Sequence, residues 1–561
     1  MKRTRSYLIT CLCAPLLGLP VSGLALTVDA PSARIHTVGS AVPGAWNLFS
    51  NGELGEYVQF PATGAYDVTV RAWGSVCQGV WPEMALLLDG EQVQTQTVAS
   101  AEPKDYAFRL KTAAGAHTVK VAFLNDAVAG GEDRNLYLVR FDLLAPAGTP
   151  APSLASLEEV RAEALRQEEK VLAESDAAIE RVRKGEVVVR VVDATGKPIA
   201  NSEFTVEQTR HEFLFGCNIY GFDHFRSDVE NEQYKRRFAE LFNYATTGFY
   251  WRSYEREPGQ PQYAYTDKVV GWCGEHGIRL KGHPLLWADE AGIPVWSHGQ
   301  PSPEKQRARL RDIMSRYRGR IEFWEVVNEP SHLPSLEIDE PYRWARQVDP
   351  QARLIVNDYY VLADGQPTFH RLLEQALRDG VPFDGIGIQA HEPRTMRFPL
   401  DRVRRVLDHY AALGKGLHIT EFTPTSGGQP ITGSHLSGVW DEAAQADYAA
   451  KFYRVCFAQP SLVAITWWDL CDAQSWLKGG GLLRSDLTPK PAYEALKKLV
   501  HERWHTRLSG TTDGTGRVAV RGFFGQYVIK RADGGTTATF ALAQEGPKEL
   551  VVRLPAEGEG K

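Results

Sequence analysis

Two glutamates in this chain stand where a side chain can do acid–base and covalent work. Glu329 closes the apolar run Trp324-Glu325-Val326-Val327-Asn328-Glu329, and Glu421 closes His418-Ile419-Thr420-Glu421. Other apolar runs end in the same manner on polar or aromatic groups. They are Gly282-His283-Pro284-Leu285-Leu286-Trp287, Asn357-Asp358-Tyr359, Gln389-Ala390-His391 and Trp467-Trp468-Asp469, with Trp476 soon after. Two carboxylates, two histidines, amides and several tryptophans make up the set that glycoside cleavage requires. One carboxylic acid protonates the leaving oxygen while a second carboxylate attacks the anomeric carbon. A pair about 5–5.5 Å apart retains configuration, and a wider pair leaves room for water and inverts. In that chemistry Glu329 must carry a proton, which needs a raised pKa, and His391 can hydrogen-bond Glu421 and keep it ionised. The Asn328 amide can hold a sugar hydroxyl beside the scissile bond, and indole faces suit the C–H faces of sugar rings. Each residue alone has a structural explanation: a buried ion pair for a strand-end glutamate, core packing for Trp287 and Trp468, an interior hydrogen bond for His283. Their common placement at strand ends favours chemistry.

Such residues converge only if their strands run parallel around one centre. Eight strand candidates occur, Phe213–Tyr220, Phe242–Trp251, Ile278–Trp287, Ile321–Glu329, Arg353–Tyr360, Phe383–His391, Leu417–Thr423 and Ala464–Asp472. Amphipathic stretches such as Tyr342–Val348, Thr368–Asp379 and Gln445–Ala458 separate them. Eight strand-then-helix units over residues 211–505 match a (β/α)8 TIM barrel, in which the strand C-termini form the active-site rim. The ends of strands four and seven then face each other across the mouth. A doubly wound open sheet would want a Gly-rich phosphate turn after an early strand, and none is present.

The rest of the 561-residue chain reads as accessory domains. Lys2, Arg3 and Arg5 precede a short apolar stretch and Gly23-Leu24-Ala25, so residues 1–25 read as an export signal, and the expected location is secreted or periplasmic. Residues 26–146 alternate like strands of a β-sandwich, and residues 147–185 hold a Pro/Ala linker and a charged helix, roughly Ser156 to Lys184. Its stripe of Leu157, Val160, Ala164 and Val171 suggests a solvated spacer. Residues 186–210 form a β-rich segment leading into the barrel, and residues 506–561 a small β-appendage. The expected fold is therefore multidomain, a central barrel between an N-terminal sandwich and a C-terminal β-appendage. A net charge of −6 supplies no basic face for nucleic acid, and no run beyond the signal is long and apolar enough for membrane insertion. Beyond the signal the cysteines are Cys77, Cys217, Cys273, Cys456 and Cys471. The number is odd, so at least one is unpaired; they read as buried packing thiols, with one disulfide left open.

The strand-end motifs, together with Asp384-Gly385-Ile386-Gly387-Ile388 and Pro489-Lys490-Pro491-Ala492-Tyr493, resemble glycoside hydrolase family 10, the β-1,4-xylanases. The resemblance implies Glu329 as acid/base, Glu421 as nucleophile, and a subsite of His283, Trp287, Asn328, Gln389, His391, Trp468 and Trp476. It implies a retaining, endo-acting hydrolase of β-1,4-linked polysaccharide that needs no cofactor for catalysis. One region departs from the family. Its Glu-Asn pair and Lys-Trp after strand two are replaced by Gly248, Phe249, Arg252 and Ser253, and its His-Ser-Gln after the strand-three Trp reads Ala288-Asp289-Glu290. Arg252 can bind an acidic substituent on the substrate or form an ion pair with Glu255 or Glu290. The substrate expected is xylan or a decorated, acidic relative, with undecorated xylan a poor one; the alternatives left open are a barrel glycosidase for a non-xylan exopolysaccharide and a noncatalytic carbohydrate-binding protein. The N-terminal segment, with Trp73-Gly74, Gly79-Val80-Trp81-Pro82 and Leu88-Asp89-Gly90, is similar to calcium-dependent xylan-binding modules. That resemblance implies a Ca2+ site among Asn125, Asp126, Asp133 and Asn135, whose oxygens are of the type Ca2+ takes.

Overall fold

The computed structural model describes residues 25–364, 367–391, 394–533 and 536–555; the expected export signal, save its last residue, lies outside them. The chain divides into two compact units, Met1–Glu163 and Ala164–Lys561.

In the first unit, alternating burial along the strands builds two antiparallel sheets face to face. Gly64–Gly74 lies between Leu136–Leu144 and Lys104–Thr112 in one sheet, and Gly115–Phe123 between Gly52–Phe60 and Glu83–Leu88 in the other. Val68, Val70, Leu86, Val119, Val121 and Phe141 fill the space between them. The sandwich read from period-two alternation is the one formed.

The second unit holds the barrel. Its parallel strands are β1 (Leu214–Asn218), β2 (Tyr244–Gly248), β3 (Arg279–His283), β4 (Phe323–Asn328), β5 (Arg353–Asp358), β6 (Gly385–Ile388), β7 (Gly416–Phe422) and β8 (Leu462–Trp467). Each pairs with the next, β8 returns to β1, and Lys281–Gly282 on β3 meets Phe323–Trp324 on β4, so the sheet closes. The strands are buried on both faces and read as nearly continuous apolar runs, which is why all eight were visible in sequence.

Two elements differ from expectation. The charged helix spans Leu157–Val182, and it is no solvated spacer. Leu157 is exposed, whereas Val171, Leu172 and Ile179 join the barrel's core cluster. Glu168 is buried with them and accepts from Arg397 Nη2 at 2.9 Å and Lys451 Nζ at 2.9 Å, while Asp176 binds Arg454 and Arg503. The charges that suggested solvent are partners for basic residues on the outside of the barrel, Lys451 and Arg454 on the helix Glu442–Ala458 and Arg397 in the loop before Leu400.

The second difference concerns the segments on either side of the barrel. Lys184–Val192 pairs with Arg517–Phe523 and Glu549–Arg553, and Glu203–His211 pairs with Arg507–Thr511 and Gly525–Arg531. Val189, Val191, Val206, Val520 and Ile529 pack between these two sheets. The leading segment and the C-terminal appendage are thus one sandwich, woven from chain before and after the barrel. The five cysteines are all buried and free, and no described helix is long and apolar enough to cross a membrane.

Candidate functional site

The strand ends deliver the polar residues to one rim. Glu329 follows β4 directly with φ of 56°, in the left-handed region, and its N–H donates to the Asn357 carbonyl at 2.8 Å. A non-glycine residue held there costs on the order of 1–3 kcal/mol, and the turn directs this side chain away from the strand's pleat. Gln389 Nε2 at the end of β6 donates to Glu329 Oε1 at 2.8 Å, and Trp287 Nε1 to Oε2 at 2.9 Å. Burial pushes the Glu329 carboxyl up to about 7, opposed by the Gln389 and Trp287 hydrogen bonds and reinforced by the negative charge of Glu421.

Glu421, near the end of β7, is 5% exposed. Asn357 Nδ2 donates to its Oε1 at 3.1 Å, and His391 Nε2 lies 3.2 Å from its Oε2. The two glutamates therefore sit in contrasted surroundings: burial holds the Glu329 carboxyl well above the usual carboxylate range, and Glu421 is held by a donating amide and an imidazole.

Asn357, at the end of β5, links them, and sequence reasoning did not include it among the site residues. It is fully buried; its Nδ2 also donates to Asn328 Oδ1 at 2.9 Å, and its Oδ1 accepts from Thr420 Oγ1 at 2.6 Å. Gly387 on β6 leaves it room, since a Cβ there would lie 2.6 Å from Asn357 Oδ1. The available signal was its position: a buried amide at a barrel strand's C-terminus, next to Asp358. Asp358 itself is fully buried and accepts from Ser331 N and Oγ at 2.8 and 2.7 Å, tying down the loop after Glu329.

Beneath the rim, His283 Nδ1 and Lys281 Nζ both bind Glu325, and all three are essentially inaccessible to solvent. Burial alone would raise the Glu325 carboxyl, but Lys281 and His283 outweigh it and hold it down at about 2. Ligand-type atoms of His283, Glu325 and Glu421 lie within 4.8 Å of one another. Lys281 already supplies the cation for Glu325, so this cluster is accounted for without a metal. Trp468 is buried edge-on to His283 with ring centroids 5.3 Å apart, and Trp476, 47% exposed, stands edge-on to His391 at 5.1 Å.

Nine of the ten residues expected to act on substrate thus meet at one mouth. The tenth, Arg252, makes no hydrogen bond or ion pair with the other nine and forms an exposed ion pair, its Nη2 3.0 Å from Glu290 Oε1, as in the ion-pair alternative. Tyr250 and Tyr220, which sequence reasoning did not single out, stand beside His283 and Trp468.

In the first unit the four expected metal ligands separate. The Asn125 side chain is used by backbone, accepting from Glu83 N at 2.6 Å and donating to Trp81 O at 3.0 Å. Asp126 Oδ1 and Asn135 Oδ1 are buried with no hydrogen-bond partner, and burial followed by the charge of Asp133 raises the Asp126 carboxyl. Unpartnered buried oxygens beside a second carboxylate fit a hard cation. Asp126, Asp133 and Asn135 remain candidates, and Asn125 does not.

A family model described as "Glycosyl hydrolase family 10" matches residues 209–499, and one described as "Ca-dependent carbohydrate-binding module xylan-binding" matches residues 67–145. Anti-sigma-I factor RsgI6 of Acetivibrio thermocellus is 27% identical over 369 residues, 64% of this chain and 46% of that protein. Endo-1,4-beta-xylanase 2 of Arabidopsis thaliana is 25% identical over 368 residues, 62% of this chain and 32% of that protein. Endo-1,4-beta-xylanase B of Thermotoga neapolitana is 27% identical over 315 residues, 51% of this chain and 88% of that protein. The chain spans less than half the length of the first two of these relatives.

Proposed function

The chain belongs to glycosyl hydrolase family 10, and from that premise we propose that it hydrolyses β-1,4-linked xylan within the polymer, with retention, as an exported enzyme. The observation that carries the reading is the contrast between the two rim glutamates. Glu329, pushed up to about 7, serves as the acid that protonates the leaving oxygen. Glu421 attacks the anomeric carbon, and Asn357 and His391 fix the direction of its carboxylate. In the second half-reaction Glu329, now ionised, takes a proton from the water that releases the sugar. The Asn328 amide, oriented by Asn357, is placed for a sugar hydroxyl, and Trp468 and Trp476 offer indole surface to the sugar rings. Family likeness in the matched relatives' printed names supports xylan as the substrate. An acidic, decorated polymer rests on Arg252, whose Nη2 lies 3.0 Å from Glu290 Oε1.

Product analysis on a panel of xylans, mixed β-glucans and acidic polysaccharides tests this reading, together with NMR of the first-formed anomer. Xylo-oligosaccharides released as the β-anomer are expected. An inverted first product would discard the double displacement, and release only from an acidic polymer would discard xylan.

For the first unit the reading is a xylan-binding module that takes Ca2+ through Asp126, Asp133 and Asn135. When bound, the ion supplies a hard oxygen-seeking centre for polysaccharide hydroxyls. Retardation of the full chain on xylan gels, measured with and without EDTA on a catalytically silent variant, tests it. Retardation indifferent to EDTA would remove the metal from the reading.

A further inference from the structure

The two positions at the end of β2, Gly248 and Phe249, carry no charged or amide group that could grip a sugar. Gly248 has no side chain, and Phe249 is fully buried against Tyr254, Tyr317 and Trp324. Two tyrosine rings fill the volume over Gly248, where an added Cβ would lie 3.2 Å from Tyr220 Cε1 and 3.5 Å from Tyr250 Cδ2. The two hydroxyls are 3.5 Å apart, and Tyr250 Oη is 3.2 Å from His283 Nε2. The Tyr250 ring centroid lies 5.9 Å from that of Trp287, the indole bonded to Glu329.

Tyr250 is therefore the outer end of a polar chain, Lys281–Glu325–His283–Tyr250, whose inner three members are buried and whose last is only partly covered. A phenol oxygen has one hydrogen and two lone pairs, so the contacts to His283 and Tyr220 leave it capacity for a further partner. The carboxylate behind His283 polarises that hydroxyl. The two rings themselves carry no charge, and the Glu421 carboxylate lies within electrostatic reach of the phenol.

Resting on the reading of the chain as a xylan hydrolase, we propose that Tyr250 is a specificity-determining residue. Its hydroxyl binds a hydroxyl of the sugar seated against Glu421 and His283, and the Tyr220–Tyr250 wall admits a neutral, unsubstituted sugar there. A uronic acid at that place meets two packed rings and a like charge instead of a cation.

The test uses the full chain with 4-nitrophenyl β-xylobioside and its analogues lacking one hydroxyl on the sugar next to the leaving group. Wild type is expected to lose about tenfold in kcat/KM on one of these analogues. Tyr250→Phe, which keeps the ring, is expected to lose about tenfold on the parent substrate and less than twofold more on that analogue. Additive losses overturn the assignment, as they show that Tyr250 acts through general architecture, and so does an unchanged kcat/KM for Tyr250→Phe on the parent. Should Tyr250→Phe fail to fold, Gly248→Ala replaces it, because the added methyl, 3.2 Å from Tyr220 Cε1, presses on the ring whose hydroxyl contacts Tyr250 and removes no hydroxyl. That variant is expected to lose several-fold on the parent and to show a smaller penalty on the same analogue; an undiminished penalty overturns the assignment. If wild type releases nothing from the parent or from any xylan, the hydrolase reading fails first and takes the Tyr250 assignment with it.

Discussion

Glu329 and Glu421 differ by what surrounds them, and substitutions should separate their roles. Glu421→Gln is expected to lower turnover at least about 1,000-fold on every substrate while substrate still binds, read by kcat and by equilibrium binding. Glu329→Gln should lose as much on xylan but retain measurable activity on aryl glycosides whose leaving groups need no proton. Near-normal turnover by Glu421→Gln would refute the nucleophile assignment. The pH profile follows from the acid held at about 7: kcat/KM depends on its protonated form, so the rate should fall as pH rises through about 7. Trp287→Phe removes an N–H that stabilises the ionised form, so its alkaline limb should move to higher pH. A limb that stays in place would show that the indole does not tune the acid. The glutamates were legible because each closes an apolar run. Asn357 closes one too, but an asparagine beside an aspartate is also what an ordinary turn contains, and its three hydrogen bonds to groups on β4 and β7 have no signature in its own neighbourhood.

At the scale of elements, local pattern decided what could be read. Barrel strands are short apolar runs, and their ends were placed to within a few residues. The helix Leu157–Val182 was recognised as a helix but misjudged as a spacer, because its many charges look solvent-facing until their partners are known. Those partners lie more than 200 residues away, as Glu168 with Arg397 shows. Glu168→Ala strips a nearly buried guanidinium of its main counter-ion and is expected to destabilise the second unit by about 3 kcal/mol, measured by urea unfolding. Glu168→Gln should recover part of that loss, whereas a change under about 0.5 kcal/mol would mean the pair is balanced by its own desolvation. Pairing between strands far apart in sequence was likewise illegible. Alternation shows that Glu203–His211 and Gly525–Arg531 are strands, but not that they are neighbours.

At the scale of the molecule, the woven sandwich limits how the chain can be cut. Sequence alone suggests excising residues 211–505 as a self-sufficient catalyst, since eight repeats close a barrel. That cut would remove the whole sandwich and bare His211 and Phe457, against whose rings Phe523 packs, while a chain merely ended at residue 505 would strand Val189, Val191 and Val206 without Val520 and Ile529. A chain ending at residue 505 is expected to aggregate or to melt well below one that continues to residue 555, by thermal scanning of the two. Equal melting would show that the sandwich is an independent passenger. If the expectation holds, the portable catalytic piece is not the enclosed ring of strands but the ring together with its clasp, and swapping binding modules between such enzymes requires a junction upstream of the clasp's first strand.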